Sequence, residues 1–170
     1  MSGTPSRRVV SALVVDRPGT LNRVAGLLRT RSFNIESLTV GTTHEAGHSR
    51  MTIVIRGDEA HTRQVLAQLD RLVEVLAVDD LTDTACLELE LALVELEAPA
   101  TPDAEATVGR AMQMAGGELL TVTPDAWRLR LAAAPDAVES ALATLRGPAL
   151  RSLVRAGSVA MAASAPIAET

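Results

Sequence analysis

The chain has 170 residues, of which 47% are hydrophobic, and its formal net charge is −5. This length fits one domain or two small ones with an apolar core, whereas the negative charge and the presence of only two aromatic residues, Phe33 and Trp127, count against a nucleic-acid partner. The single Cys86 excludes an internal disulfide and a multi-cysteine metal site, and with no apolar stretch as long as a membrane span and no signal-peptide core we expect a soluble, cytoplasmic protein without a membrane partner.

The first half of the chain predicts four strands and two helices. Apolar or alternating runs predict strands at 9–15, 34–40, 50–56 and 73–78. A helix begins at Leu21, because apolar residues recur there at i, i+3, i+4 and i+7, and Asp58 can cap a second helix. The order is β-α-β-β-α-β, the split βαβ arrangement of ferredoxin-like folds.

The second half repeats this order about 80 residues later. Strands are predicted at 86–97, 119–123, 126–132 and 150–155, with helices that begin at Pro102 and Pro135. In the first of these strands leucines alternate with glutamates, and the phase slips at 94–96, where we expect a bulge or the strand end. The predicted fold class is therefore α+β, with two ferredoxin-like βαββαβ domains in tandem at 8–80 and 86–162.

The turn between the first strand and the first helix is the candidate ligand site. A helix start has free N–H donors and the positive end of the helix dipole, which suit a small carboxylate. Asp16 can meet an ammonium group, and Asn34 can both donate and accept hydrogen bonds. Pro18-Gly19 is also an ordinary turn dipeptide, but only the first half carries it. The turn predicts a sensor of a small amino acid, with the alternative of a purely structural turn left open.

Catalytic constellations are missing from the sequence. There is no nucleophile-elbow, phosphate-loop, dinucleotide or zinc-protease motif. The histidines are interpreted as solvated side chains, Cys86 as packing, and Glu88 and Glu90 as the wet side of a half-buried sheet. We therefore expect no catalytic residue, no metal site and no enzyme activity from the chain on its own.

Two longer blocks resemble a known family. Asp16-x-Pro18-Gly19-x-Leu21 looks like the ligand turn of ACT domains, regulatory modules that bind amino acids. FNIESLTVG at 33–41 and SRMTIV at 49–54 resemble the regulatory (small) subunit of acetolactate synthase, also called acetohydroxyacid synthase. A weaker likeness continues through VTPD at 122–125 and VRAGSVA at 154–160, so that it covers nearly the whole chain.

The resemblance implies a non-catalytic subunit that activates a catalytic partner and confers feedback regulation by valine or another branched-chain amino acid. Thiamine diphosphate, magnesium and FAD are then expected only in that catalytic subunit, and no cofactor in this chain. It also implies a homodimer through the ACT domains, with the effector between two chains. The implied effector-binding residues are Asp16, Pro18, Gly19, Thr20 and Leu21 of one chain, and Asn34 and Ile35 of the other.

A second hypothesis remains open. The chain is then a stand-alone or divergent ACT-type sensor that regulates a different enzyme, a specialised pathway or transcription. The family usually has asparagine where Asp16 stands, so a different preferred effector would fit this alternative.

Overall fold

The structure is a computed structural model that describes residues 6–30, 34–147 and 149–163. Within these ranges four strands and two helices come first: β1 (Ser6–Val15), α1 (Thr20–Thr30), β2 (Asn34–Thr42), β3 (His48–Gly57), α2 (Glu59–Leu69) and β4 (Val75–Asp80). The same order then recurs as β5 (Cys86–Glu97), α3 (Pro102–Met114), β6 (Glu118–Val122), β7 (Ala126–Ala133), α4 (Pro135–Leu145) and β8 (Leu150–Ala162). The predicted α+β class with two βαββαβ repeats is confirmed.

The first sheet has the order β2-β3-β1-β4, and its paired strands are antiparallel. Alternate residues of β1 and β3 point to the helices, because successive side chains of a strand face opposite sides. They pack against the apolar stripes of α1 and α2. The buried members of this core are Val10, Ala12, Val14, Val24, Leu28, Met51, Ile53, Ile55, Val65 and Leu69. Burying each of the larger side chains stabilises the fold by roughly 1.5–3 kcal/mol.

The face of this sheet that points away from the helices is also covered. Thr52 and Val54 are buried on it, at 3% and 0% exposure. The last residues of β8 lie over them: the amide of Ala160 donates to Thr52 Oγ1 at 3.2 Å, and Thr39 Oγ1 donates to the carbonyl of Ser158 at 2.6 Å. The final strand was predicted to end at residue 155, but β8 continues for seven more residues, to Ala162, and this last part covers the first sheet.

The second sheet has the order β6-β7-β5-β8. The strands β5 and β7 supply Ala92, Val94, Leu96, Leu129 and Leu131 to its core, and α3 and α4 cover them. Trp127 packs against the same core. The predicted split of β7, with its apolar side chains on one face and its arginines on the other, is therefore confirmed.

The predicted orientation of β5 is wrong. Leu89, Leu91 and Leu93 are 54%, 40% and 44% exposed, whereas Glu90 is buried at 6%. A bulge or the strand end was expected at 94–96; the pairing of β5 with β7 is in unbroken register from Glu90 to Glu97, so this pairing has no bulge there, and the strand ends at Glu97. The helices cover the face that carries Ala92, Val94 and Leu96, and this places Glu90 on the inner side, where Arg155 neutralises it.

Two compact units divide the described residues. The first contains those up to Leu87 together with 158–163, and the second is Glu88–Gly157. The predicted domain ranges, 8–80 and 86–162, stay a prediction, since compactness alone does not define domains that fold independently. In the described part of the chain the longest helix, α3, has 13 residues, and no helix is long and apolar enough to cross a membrane.

Candidate functional site

The turn from β1 to α1 is held by short hydrogen bonds. The amide of Asp16 donates to the carbonyl of Gly47 at 2.8 Å, which fixes the end of β1 against the β2–β3 connection. Thr20 is 4% exposed, and its hydroxyl donates back to the carbonyl of Val15 at 3.0 Å. Gly19 has a φ of 94°, a left-handed conformation that favours glycine. The turn is thus a built structure with a defined backbone.

Most of the turn is open to solvent. Asp16, Pro18, Gly19 and Leu21 are exposed, and a Cβ added at Gly19 would meet no atom within 4 Å. The first α-helical bond of α1 runs from the amide of Arg23 to the carbonyl of Gly19 at 3.0 Å. The amide of Thr20 already donates to the carbonyl of Arg17 at 3.2 Å, so the amides of Leu21 and Asn22 are the ones that lie at the positive end of the helix, beside open space.

The α1 start also differs in charge from the other described helices. Its first turn has no acidic residue, whereas α2, α3 and α4 carry Glu59, Asp103 with Glu105, and Asp136 there. A carboxylate near a helix N-terminus already interacts favourably with the positive end of the helix dipole. The α1 start is therefore better suited than the others to an anionic group from a ligand.

Asn34 and Ile35 lie far from the turn within one chain. Asn34 is level with Arg56, and Arg56 is level with Arg7 near the start of β1. Asp16 follows Arg7 by nine residues, which at the strand rise is roughly 30 Å. Asn34 is exposed and Ile35 is partly buried against the core. One chain by itself does not bring the two predicted halves of the site together, and Phe33 lies outside the described residues.

The sequence did not single out a carboxylate beside the turn. The carbonyl of Glu74 accepts from the amide of Val15 at 2.8 Å, and its Oε1 pairs with Arg23 of α1 at 2.9 Å. The Glu74 side chain is 17% exposed, and its Oε2 is buried without a hydrogen-bond partner. Its neighbours Val73 and Val75 made this residue look like part of a strand, so no local pattern marked it.

The second unit lacks an equivalent of this turn. Its counterpart, between β5 and α3, contains Pro99 but no glycine, and Thr101 Oγ1 already caps the helix by accepting from the amide of Ala104 at 3.2 Å. A cavity of about 340 Å³ lies there, bounded mainly by apolar side chains such as Leu96 and Leu145. The chemistry expected of a carboxylate-binding turn is therefore concentrated in the first unit.

Two histidines each contact one neighbouring carboxylate. His48 contacts Glu45 at 2.8 Å, and His61 contacts Asp58 at 2.7 Å. Across residues 6–30, 34–147 and 149–163, no group of three or more His, Cys, Asp or Glu side chains is placed to hold a metal ion. Cys86 is a free, partly buried thiol.

Comparisons with known proteins cover nearly the whole chain. The family described as AHAS small subunit-like ACT domain matches residues 10–77. The chain is 36% identical to a probable acetolactate synthase small subunit of Methanothermobacter thermautotrophicus, over 92% of this chain and 93% of that protein. It is 37% identical to the acetolactate synthase isozyme 3 small subunit of Escherichia coli, over 91% of this chain and 94% of that protein.

A solved structure shares the fold. The crystal structure of the acetolactate synthase small subunit from Thermotoga maritima superposes with a TM-score of 0.83 at 28% identity. The match covers 94% of this chain and 99% of that one. The similarity thus includes both βαββαβ repeats.

Proposed function

We propose that this chain is the regulatory subunit of an acetolactate synthase, because it belongs to the family of acetolactate synthase small subunits. It has no catalytic activity alone, and it binds and activates a thiamine-diphosphate-dependent catalytic subunit of branched-chain amino acid biosynthesis. Thiamine diphosphate, magnesium and FAD belong to that partner. The observation that carries the proposal is the 36% identity over 92% of the chain.

The effector in this proposal is valine or another branched-chain amino acid. The start of α1 is open and its first helical turn has no acidic residue, which supports a carboxylate contact, because the amides of Leu21 and Asn22 and the positive dipole end favour an anion. The exposed Asp16 accepts hydrogen bonds from the ammonium group. Thr20 keeps the turn in shape, since its hydroxyl is already bonded to Val15.

A homodimer would complete the site. The edge strand β2 runs in the same direction as β1, since both are antiparallel to β3. If the β2 edges of two copies pair about a two-fold axis, the partner's β2 runs in the opposite direction. Asn34 and Ile35 at its start then lie level with the end of β1 in the first copy. This geometry supports a shared effector site, with the residues of the turn from one chain and Asn34 and Ile35 from the other.

The partner role is tested by mixing the purified chain with candidate thiamine-diphosphate-dependent catalytic subunits. Acetolactate formation should rise on mixing, and the two proteins should purify together. If no candidate is activated or bound, the chain is a sensor for another system and the proposal is wrong.

The effector site is tested by a thermal-shift panel of valine, leucine and isoleucine on wild type, Gly19→Asp and Gly19→Ala. A ligand at about 100 times its Kd stabilises the folded state by about 2.7 kcal/mol, which raises Tm. Gly19→Asp should lose the shift, because a negative charge enters the carboxylate site. Gly19→Ala carries the same backbone strain without the charge and should keep most of it. Equal shifts in all three proteins would remove the turn from the site.

A further inference from the structure

Glu74, in the connection between α2 and β4, contacts both sides of the turn from β1 to α1. Its carbonyl accepts from the amide of Val15, the residue before Asp16, at 2.8 Å. Its side-chain Oε1 pairs with Arg23 of α1 at 2.9 Å. One residue outside the turn therefore holds both the end of the strand before the turn and the helix after it.

The two contacts of Glu74 continue into the turn itself. The amide of Arg23 donates at 3.0 Å to the carbonyl of Gly19, whose backbone is left-handed. The carbonyl of Val15 accepts from the hydroxyl of Thr20 at 3.0 Å. The base of the turn is thus a closed ring of hydrogen bonds, in which Glu74 joins Val15 to Arg23. A displacement of Arg23 reaches Gly19 through a single hydrogen bond.

The second repeat makes the same main-chain contact without a carboxylate. There the amide of Glu97, at the end of β5, donates to the carbonyl of Ala149 at 2.8 Å. Ala149 directly precedes β8, as Glu74 directly precedes β4. The fold therefore forms this connection with only a methyl group at the position, and the carboxylate occurs in the repeat that carries the candidate ligand turn.

The Glu74 carboxylate lowers the stability of the fold. Its side chain is 17% exposed, and its Oε2 is buried without a hydrogen-bond partner among the described residues. A buried oxygen that makes no hydrogen bond has lost its hydration without compensation. Arg23 is 63% exposed, so water weakens the attraction within the pair. Proteins retain unfavourable polar groups of this kind mainly at functional sites.

We propose that Glu74 is a positioning residue of the effector site. By holding Arg23 against the end of β1, it fixes the start of α1 relative to Asp16. The amides of Leu21 and Asn22 then keep a set distance from the Asp16 carboxylate, so that both charged ends of one amino acid are bound together. This inference rests on the proposed function, because it requires that the effector binds at the turn.

Titration calorimetry of the full chain with valine, leucine and isoleucine tests this role. Glu74→Ala gives the first repeat the side chain that the second repeat has at this position, and it should raise Kd about 10-fold, within the range for residues that act through a network. Glu74→Gln keeps an oxygen that accepts from Arg23 and should raise Kd less. Glu59→Ala is the matched control and should leave Kd unchanged, because Glu59 pairs with Arg63 within α2 and follows Gly57, at the other end of the sheet from the turn.

A second set of variants shows whether Glu74 acts through Arg23. Arg23→Gln should raise Kd as much as Glu74→Ala, and the double variant Arg23→Gln/Glu74→Ala should bind no more weakly than either single variant, since both changes break one contact. Because Arg23 is 63% exposed, Arg23→Gln decides the question if Glu74→Ala does not fold. A purely structural role of Glu74 would lower Tm and leave Kd unchanged in protein that circular dichroism shows to be folded.

Three results overturn the proposal. A wild-type Kd in folded Glu74→Ala, or in Arg23→Gln, would mean that the pair does not position the turn, and the effector site would stand without it. Additive losses in the double variant would contradict action through Arg23. If the wild-type chain binds none of the three amino acids, this inference fails together with the effector site, while activation of the catalytic subunit tests the regulatory role separately.

Discussion

The buried ion pair of the second unit allows a quantitative prediction. Glu90 is 6% exposed, and its carboxylate accepts from Arg155 Nε at 2.5 Å and from Arg155 Nη2 at 2.9 Å. Arg155 Nη1 also donates to Glu139 at 2.9 Å. The hydrogen bonds to Glu90 raise the pKa of Arg155 above its usual range, so the guanidinium stays charged. Arg155→Met would keep the apolar stem and leave the Glu90 carboxylate without its counter-charge.

The expected loss of stability follows from this burial. Removing one partner of a buried pair costs about 3–5 kcal/mol. Because the Arg155 side chain is 37% exposed, water can reach part of the site, and we expect the lower end, about 3 kcal/mol. The double variant Glu90→Leu/Arg155→Met should recover most of the loss, since an apolar replacement of both partners is often neutral.

Urea unfolding followed by Trp127 fluorescence measures this effect. Trp127 is the single tryptophan of the chain and packs on the core of the second unit. With a slope of about 2 kcal/mol/M, a loss of 3 kcal/mol lowers the midpoint by about 1.5 M. Arg146→Met is the matched control. The Arg146 side chain also binds Glu139 but is 60% exposed, so its removal should cost less than about 1 kcal/mol. If Arg155→Met costs no more than this control, Glu90 is not a buried charge that requires Arg155.

Three smaller changes test other parts of the fold. Thr20→Val removes the hydroxyl that donates to Val15 and should cost about 1 kcal/mol in denaturant unfolding followed by circular dichroism, whereas Thr20→Ser should keep the bond. Thr52→Val leaves a buried amide of the covering strand without its acceptor and should cost about 1–2 kcal/mol in the same assay; no loss would mean that the strand does not lie there. The backbone amide of His61 donates to Asp58 and, with the His61 ring, lowers the pKa of that carboxyl. The stabilisation that this cap gives is therefore complete above the ordinary aspartate pKa, and it is lost as pH falls through the lower pKa of the folded state. Asp58→Asn, which caps without titrating, should show a smaller drop in unfolding midpoint between about pH 7 and pH 3.

Local signals predicted the elements well. Asp58 caps α2 and Thr101 caps α3, as their positions before the helices indicated. A cap acts through hydrogen bonds within one helical turn, so the necessary information lies in adjacent residues. The strand–turn–helix at Asp16 was recognisable for the same reason. Strand ends were less accurate: β4 begins at Val75 instead of residue 73, because Glu74 belongs to the connection that contacts β1 and α1.

The inward face of β5 could not be obtained in this way. The strand carries leucines on one face and Ala92, Val94 and Leu96 on the other, so its alternation does not say which face the helices cover. The pattern favoured burial of the leucines, and the structure shows the reverse. The partner that makes the buried Glu90 tolerable, Arg155, lies 65 residues away, beyond the reach of any local pattern.

The sequence by itself determined the order of elements, the helix caps, the repeat and the family, since these depend on neighbouring residues and on extended similarity. Tertiary structure decided which face of each sheet is closed and that β8 extends over the first sheet. It also decided that Asn34 and Asp16 lie at opposite ends of the first sheet. These properties depend on strand register and on contacts between residues far apart in sequence, whose energies are settled only when the whole chain packs.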